Sequence, residues 1–111
     1  MLDKNNLSIQ SILEAIEKIE VFTGSITSTE EFFSNQLVFD ACLMNFIVIG
    51  EMIARMDEGF KKKYPVIEWD KIKALRNIVA HEYFGVDAEE VWQIIRNKLP
   101  ELKRQIISIG I

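Results

Sequence analysis

Apolar residues recur every three or four positions along most of the chain, which predicts a series of amphipathic α-helices. The first predicted helix has Asn5 or Asn6 as its N-cap and runs to residue 22. The others are 29–34, 36–56, 60–64, Trp69 or Asp70 to 84, and 87 to the C-terminal end with a kink or restart at Pro100. No internal repeat or linker separates them. The pattern therefore predicts one all-α domain over residues 1–111, a bundle of about four main helices and one or two short ones.

The short helices and the last helix are marked by the residues around their ends. Ser28 and Glu31 match a capping box, and Asp87 with Glu90 repeats that pattern. The segment 57–59, Asp-Glu-Gly, is expected to end the helix before it, so that the next short helix begins afterwards.

The predicted helix over residues 36–56 is apolar on every side. Its length would suffice to cross a bilayer. Four polar residues argue against a membrane span, namely Asp40, Asn45, Glu51 and Arg55, since each charge at membrane depth costs about 2.5–3.5 kcal/mol. In a small soluble bundle the neighbouring helices cannot cover such a helix completely. Part of it is expected to face another subunit, most simply in a two-fold dimer.

Gly50 lies inside this helix, at a cost of roughly 1 kcal/mol relative to alanine, and predicts close packing against a second helix. The adjacent Glu51 is first interpreted as a surface partner of Arg55 one turn on. The alternative is that Glu51 turns inward to hold Arg76 or His81. Asp40 has the same two interpretations, a surface residue or a group that turns inward toward Arg76 or His81.

The formal net charge of −4 is the opposite of what a general nucleic-acid coat carries, so any RNA contact must be local and no DNA partner is expected. Positive charge gathers at residues 61–63, which we interpret as a solvated face, and again at Lys71, Lys73 and Arg76. Cys42 stands alone in an apolar run and is interpreted as a small core residue. Because the first residues lack the features of a signal peptide, a cytoplasmic protein is expected.

The residues with the clearest chemical potential lie in the segment 75–87, which contains His81, the only histidine. An imidazole moves protons near neutral pH, Arg76 is suited to a phosphate group, and Tyr83 offers a modifiable hydroxyl. On an ideal helix Arg76 and Tyr83 share a face, whereas His81 lies roughly 140° from Arg76. The three converge only if the last turn unwinds near Gly85 or if an oligomer axis completes the site.

A dimer would supply two copies of His81, and RNA cleavage without a metal needs one group to take the proton from a 2′-hydroxyl and another to protonate the leaving oxygen. Arg76 would offset the charge on the phosphorus. The structural alternative is that both residues only bond the last carbonyls of a helix and interact with its dipole. No second histidine or thiol stands at ligand spacing, so no metal site is expected.

The run Arg76-Asn77-Ile78-Val79-Ala80-His81-Glu82-Tyr83 resembles the signature of the HepT-like toxins of the HEPN superfamily, which is Arg, four residues, His, one residue, Tyr. The resemblance extends, in order, to Ile49-Gly50-Glu51, residues 65–69 and 85–87, Val91-Trp92 and Leu99-Pro100. It implies a HEPN-like helical fold and a metal-independent endoribonuclease toxin that acts as a homodimer. In this family Arg76 and His81 would line a cleft between the subunits.

The same resemblance implies a partner, the minimal nucleotidyltransferase (MNT) antitoxin, which transfers AMP from ATP to the tyrosine that matches Tyr83. The added phosphodiester would bring bulk and negative charge where an RNA phosphate binds. ATP is used by the partner, and the chain itself is expected to need no cofactor. Asn77 is expected to orient His81 one turn away, or to serve only packing.

Two other functions are compatible with the sequence. A non-catalytic subunit that binds substrate or nucleotide for a nucleotidyltransferase would form that complex without cutting RNA. A purely structural helical dimer would tolerate substitution of Arg76 and His81.

Overall fold

The computed structural model of the chain describes the backbone of residues 3–82 and 85–110, and the side chains in these ranges except those of residues 80–82. All regular structure in these ranges is helical, which confirms the all-α prediction. The helices are α1 (Lys4–Phe22), α2 (Thr29–Ser34), α3 (Gln36–Arg55), α4 (Glu58–Lys62), α5 (Trp69–Lys73), α6 (Leu75–Glu82), α7 (Ala88–Gln93) and α8 (Leu99–Ser108), with a π-helical turn (Ile94–Lys98) that joins α7 to α8.

Helix α3 lies at the centre of the bundle and packs against α1, α2, α5 and α6. Its inner side is apolar except for Asn45, whose amide bonds the Ala41 carbonyl, and meets the isoleucine face of α1, so that this pair forms most of the core. The buried residues of the two helices include Ile9, Ile12, Ile16 and Ile19 of α1, and Phe39, Leu43, Phe46, Ile49 and Ile53 of α3. By length and composition α3 could also cross a membrane, but its place in the bundle is that of a core helix.

The outer side of α3 carries a stripe of apolar residues that the bundle leaves uncovered. Leu37 is 82% exposed and Met44 is 60% exposed. On the same face, Ala41 lies between Leu37 and Met44, and Val48 lies one turn after Met44. Both are partly exposed. The expectation that neighbouring helices cannot cover α3 is thus confirmed, whereas dimerisation through this stripe stays a prediction.

The N-terminus of α1 differs from the prediction. Asp3 caps the helix, and its carboxylate accepts the backbone N–H of Asn6 at 2.8 Å. The predicted caps, Asn5 and Asn6, are therefore wrong by two or three residues. Asn5 instead bonds Asp57 through both its side-chain atoms, at 2.9 and 3.2 Å, and ties the start of α1 to the α3–α4 junction.

The caps predicted for α2 and α7 are confirmed. The hydroxyl of Ser28 accepts the N–H of Glu31 at 3.1 Å, and Asp87 accepts the N–H groups of Glu89 and Glu90 at 2.9 and 3.3 Å. Each cap satisfies donors that the first helical turn leaves without an internal acceptor.

Two predicted boundaries are wrong. Helix α3 ends just before the segment 57–59, as predicted, but α4 begins at Glu58 and not at Phe60. The helix predicted from Trp69 or Asp70 to Phe84 is interrupted at Ala74, because the N–H of Asn77 bonds the Ala74 carbonyl at 2.9 Å in a tight turn. The far end of that prediction, Phe84, lies outside the described residues.

The kink predicted at Pro100 occurs one turn earlier, as the π-helical turn Ile94–Lys98. Proline has no N–H, and its ring crowds the carbonyl four residues before it. A wider turn at that point accommodates both effects without ending the helix.

Helix α6 runs antiparallel along α3. Near the end of α3, Gly50 contacts Arg76 at the start of α6. Beyond α6 the chain returns to the beginning of α3, where Val86 and Phe33 of α2 line one shallow groove. The backbone of His81, in the last turn of α6, therefore lies on the N-terminal side of Glu51 along α3.

Candidate active site

Arg76 is held at the point where α6 crosses α3 most closely. A β-carbon added to Gly50 would lie 2.8 Å from the β-carbon of Arg76 and 2.9 Å from the carbonyl oxygen of Lys73. Both distances are well below ordinary van der Waals contact. The prediction that Gly50 serves close helix packing is confirmed, and glycine at this position sets the location of the Arg76 backbone.

The guanidinium of Arg76 pairs with Glu51 across this crossing. Nη1 of Arg76 donates to Oε1 of Glu51 at 3.0 Å, and the two side chains are 33% and 47% exposed. The first interpretation, in which Glu51 pairs with Arg55, is therefore wrong, and the alternative contact with Arg76 is present. Glu51 follows Gly50 in α3, and its side chain reaches α6 where the two helices cross.

The energy of this pair is small. Because both groups retain solvent contact, the pair contributes roughly 0–1 kcal/mol to stability. Its main effect is on geometry, since a carboxylate at 3.0 Å fixes the direction of the flexible arginine side chain. The remaining N–H groups of a guanidinium fork are suited to phosphate oxygens.

Asp40 and Asn77 lie apart from this contact. Asp40 is exposed on α3, where its Oδ1 accepts the side-chain amide of Gln36 at 2.8 Å. It lies eleven residues before Glu51, about 16 Å away along the helix axis. Asn77 follows Arg76 and is exposed, and both interpretations of it, orienting His81 or packing, stay predictions.

The positions of the His81 and Tyr83 side chains relative to Arg76 are not described by the structure. His81 belongs to α6, but its side chain lies outside the described residues, as does the whole of Tyr83. Their predicted convergence with Arg76, and the orientation of His81 by Asn77, stay predictions.

The lysine run at 61–63 is not a uniform solvated face. Lys61 is only 5% exposed, and its Nζ donates to Glu58 at 2.9 Å and approaches the carbonyl of Ile53 at 3.5 Å. Its backbone carbonyl accepts the indole N–H of Trp69 at 3.0 Å. Lys61 thus joins the end of α3 to α4 and α5 through a buried aliphatic stem with a paired head group, whereas Lys62 and Lys63 are exposed as predicted.

Cys42 is confirmed as a core residue. It is fully buried, and this burial raises the pKa of its thiol to about 12. Among the described residues, no three His, Cys, Asp or Glu side chains form a group that could hold a metal ion.

Comparison with known proteins assigns the sequence to a family. Residues 12–109 match the family described as "Ribonuclease HepT-like". The chain is 35% identical, over 91% of its length, to a "Gamma-glutamylcyclotransferase and putative RNase" of Methanocaldococcus jannaschii, but spans only 45% of that relative. It is 31% identical to a "Putative RNase" of the same organism, over 88% of this chain and 89% of that protein.

A further relative comes from Thermococcus cleftensis, where a "Probable ribonuclease HepT" is 34% identical over 86% of each chain. No solved structure matches the chain. The family match covers most of the chain and includes the Arg76-to-Tyr83 motif on which the resemblance rested. The chain therefore belongs to the HepT-like ribonuclease family.

Proposed function

We propose that this HepT-like ribonuclease is a metal-independent endoribonuclease toxin that acts in the cytoplasm as a homodimer, with Arg76 and His81 as its catalytic residues. The observation that carries the proposal is the Glu51–Arg76 pair. It fixes the direction of a partly exposed guanidinium at the start of α6, the helix that also contains His81.

The chemistry follows from the two side chains. The 2′-oxygen of one nucleotide attacks the adjacent phosphorus, and the bond from phosphorus to the 5′-oxygen of the next nucleotide breaks. One imidazole takes the 2′-hydroxyl proton, and a second acid protonates the departing 5′-oxygen. Arg76 offsets the additional negative charge on the phosphoryl oxygens during this step.

Each chain has a single histidine, so two acid–base groups require either a second subunit or another residue. The exposed apolar stripe of α3 supports a homodimer, because an exposed row that includes Leu37 and Met44 is suited to burial against a second copy. The stripe is on the same face of α3 as Glu51. A dimer through this face would bring both Arg76 side chains close to the subunit boundary.

The proposed regulation rests on the family resemblance. An MNT-type nucleotidyltransferase would transfer AMP from ATP to Tyr83, two residues after His81. The adenylate would bring negative charge and bulk that compete with an RNA phosphate. Modification would therefore neutralise the toxin without unfolding it.

The test is cleavage of an end-labelled RNA by purified protein in excess chelator, with the native chain and His81→Ala compared after circular dichroism and size measurements show that both have the same fold and assembly. We expect cutting by the native chain and none by the variant. If neither protein cuts and intact mass shows no adenylate on Tyr83, the toxin proposal fails, and a nucleotide-binding subunit of a nucleotidyltransferase becomes the better account.

A further inference from the structure

The charge of this acidic protein is unevenly distributed along the chain. Seven of its 13 lysine and arginine residues lie between residues 55 and 76, together with only four of its 17 aspartate and glutamate residues. The rest of the chain is strongly acidic. A second group of cations, Arg96, Lys98, Lys103 and Arg104, lies near the C-terminal end, but the segment that leads into α6 is the basic segment that contains Arg76.

Three of the six basic residues outside this segment pair with acidic side chains: Lys4 with Asp57 at 2.8 Å, Lys18 with Glu14 at 3.3 Å and Lys103 with Glu20 at 2.8 Å. Within the segment, Arg55, Lys62, Lys63 and Lys73 make no ion pair within 4.0 Å in the part of the chain that the structure describes. We call Arg55, Lys62 and Lys73 the basic patch.

The basic patch is a single surface. Glu58, at the start of α4, is paired with Lys61, and the charges of Lys73 and Lys62 further lower the pKa of its carboxyl group. Both lysines therefore lie near Glu58. Arg55 ends α3 three residues before Glu58, and Lys61 of α4 bonds both Ile53 of α3 and Trp69 of α5, so the three helices that carry these cations meet here.

This surface adjoins the candidate active site. Lys73 is separated from Arg76 only by the turn at Ala74, and its carbonyl lies against Gly50. On α3, Arg55 is one turn beyond Glu51, the residue that holds Arg76. A strand of phosphates that reaches Arg76 can therefore continue directly onto the basic patch.

The opposite end of the bundle has the opposite charge. Glu30 and Glu31 lie in the first turn of α2, and Glu89 and Glu90 lie in the first turn of α7. All four are exposed. The two helices are held together by the contact of Phe32 with Trp92, whose ring centroids are 5.2 Å apart. RNA that left the site in this direction would meet repulsion.

We infer that the RNA strand leaves Arg76 over Arg55, Lys62 and Lys73, so that the basic patch binds the phosphates beside the one that is cleaved. This inference rests on the proposed function, and it assigns a direction to the bound strand along the bundle. The patch supplies affinity and orientation, while the reacting phosphate is contacted by Arg76.

Salt dependence provides a direct measurement of these contacts, because each cation that neutralises a phosphate of a single strand contributes about 0.7 to the slope of log K against log salt. The probe is a labelled, fully 2′-O-methylated single-stranded RNA, which lacks the nucleophilic 2′-hydroxyl. Its binding is followed by fluorescence anisotropy at several salt concentrations. The patch variant carries Arg55→Gln, Lys62→Gln and Lys73→Gln.

The control variant carries Lys18→Gln, Lys98→Gln and Arg104→Gln, which remove three positive charges from exposed positions outside the patch. Its net charge equals that of the patch variant. We expect the slope of the patch variant to be smaller by about 2 than that of the native chain, and the slope of the control variant to be unchanged. Melting curves should show that both variants are folded.

Equal slopes for the patch variant and the native chain would overturn the inference, as would an equal loss in the control variant or no binding of the probe by the native chain at low salt. Failure of the proposed function has a different signature. In that case the native chain would bind the probe through the patch but would leave ordinary RNA uncut.

Discussion

Replacement of Gly50 by alanine is the most informative single perturbation of the helix crossing. The new β-carbon would lie 2.8 Å from the β-carbon of Arg76 and 2.9 Å from the Lys73 carbonyl oxygen. Neither atom is the end of a flexible side chain, so no rotamer change relieves the contact. Because carbon atoms pack at about 3.5–4.0 Å, α6 must move away from α3 by at least about 0.7 Å.

Two opposing effects determine the change in stability. Overpacking of this kind costs about 1–3 kcal/mol, whereas replacing glycine by alanine within a helix gains about 1 kcal/mol. The Gly50→Ala variant should therefore lose about 0–2 kcal/mol in the free energy of unfolding. Because Arg76 moves with α6, and a displacement near 1 Å can cost about 100-fold in rate, kcat/KM should fall by about 10- to 100-fold.

Gly59→Ala is the matched control, because Gly59 is also helical and no atom lies within 4 Å of a β-carbon added there. It should gain about 0.5–1 kcal/mol and keep full activity. Urea unfolding followed by circular dichroism measures both variants. If Gly50→Ala were stabilised as much as Gly59→Ala and cleaved RNA normally, the close crossing would not exist.

Three further predictions concern single side chains. Glu51→Gln should change the unfolding free energy by less than about 1 kcal/mol, yet lower kcat/KM several-fold in the RNA cleavage assay, because Arg76 loses its charged partner; an unchanged kcat/KM would remove Glu51 from the site. Cys42 should resist iodoacetamide at pH 8 in the native protein and react in urea, because burial raises the pKa of its thiol to about 12 and leaves little thiolate; rapid alkylation of the folded protein would contradict its burial. The hydrogen bond from Lys4 is the main cause that lowers the pKa of Asp57, so its carboxylate stabilises the fold above the unfolded pKa, and this contribution is lost as the pH falls through the folded pKa. Asp57→Asn should lower Tm at pH 7 but have little effect at a pH well below the folded pKa of Asp57, and equal effects at both pH values would show that charge is not involved.

The sequence was sufficient for the features that depend on local pattern. Ser28 and Asp87 were recognisable as caps because capping acts over three residues. Gly50 predicted a close helix crossing because glycine in a helix interior otherwise only destabilises it. These inferences need no knowledge of which helix packs against which.

Features that depend on tertiary neighbours were missed. Periodicity supplied Arg55 as the local partner of Glu51, and only the position of α6 shows that Arg76 is nearer. The interruption at Ala74 has no signal in the sequence, since the apolar spacing continues across it. Lys61 differs from Lys62 only in its surroundings, which bury one and expose the other.

The most direct test of the central claim compares RNA cleavage by the native chain, Arg76→Ala and Arg104→Ala in excess chelator, with all three proteins folded and of the same size. Arg104 is an exposed arginine on α8, so its loss controls for the removal of one positive charge. We expect the native chain and Arg104→Ala to cut the RNA at similar rates, and Arg76→Ala to lose at least about 100-fold in kcat/KM. Equal cleavage by Arg76→Ala and the native chain would contradict the assignment of this site.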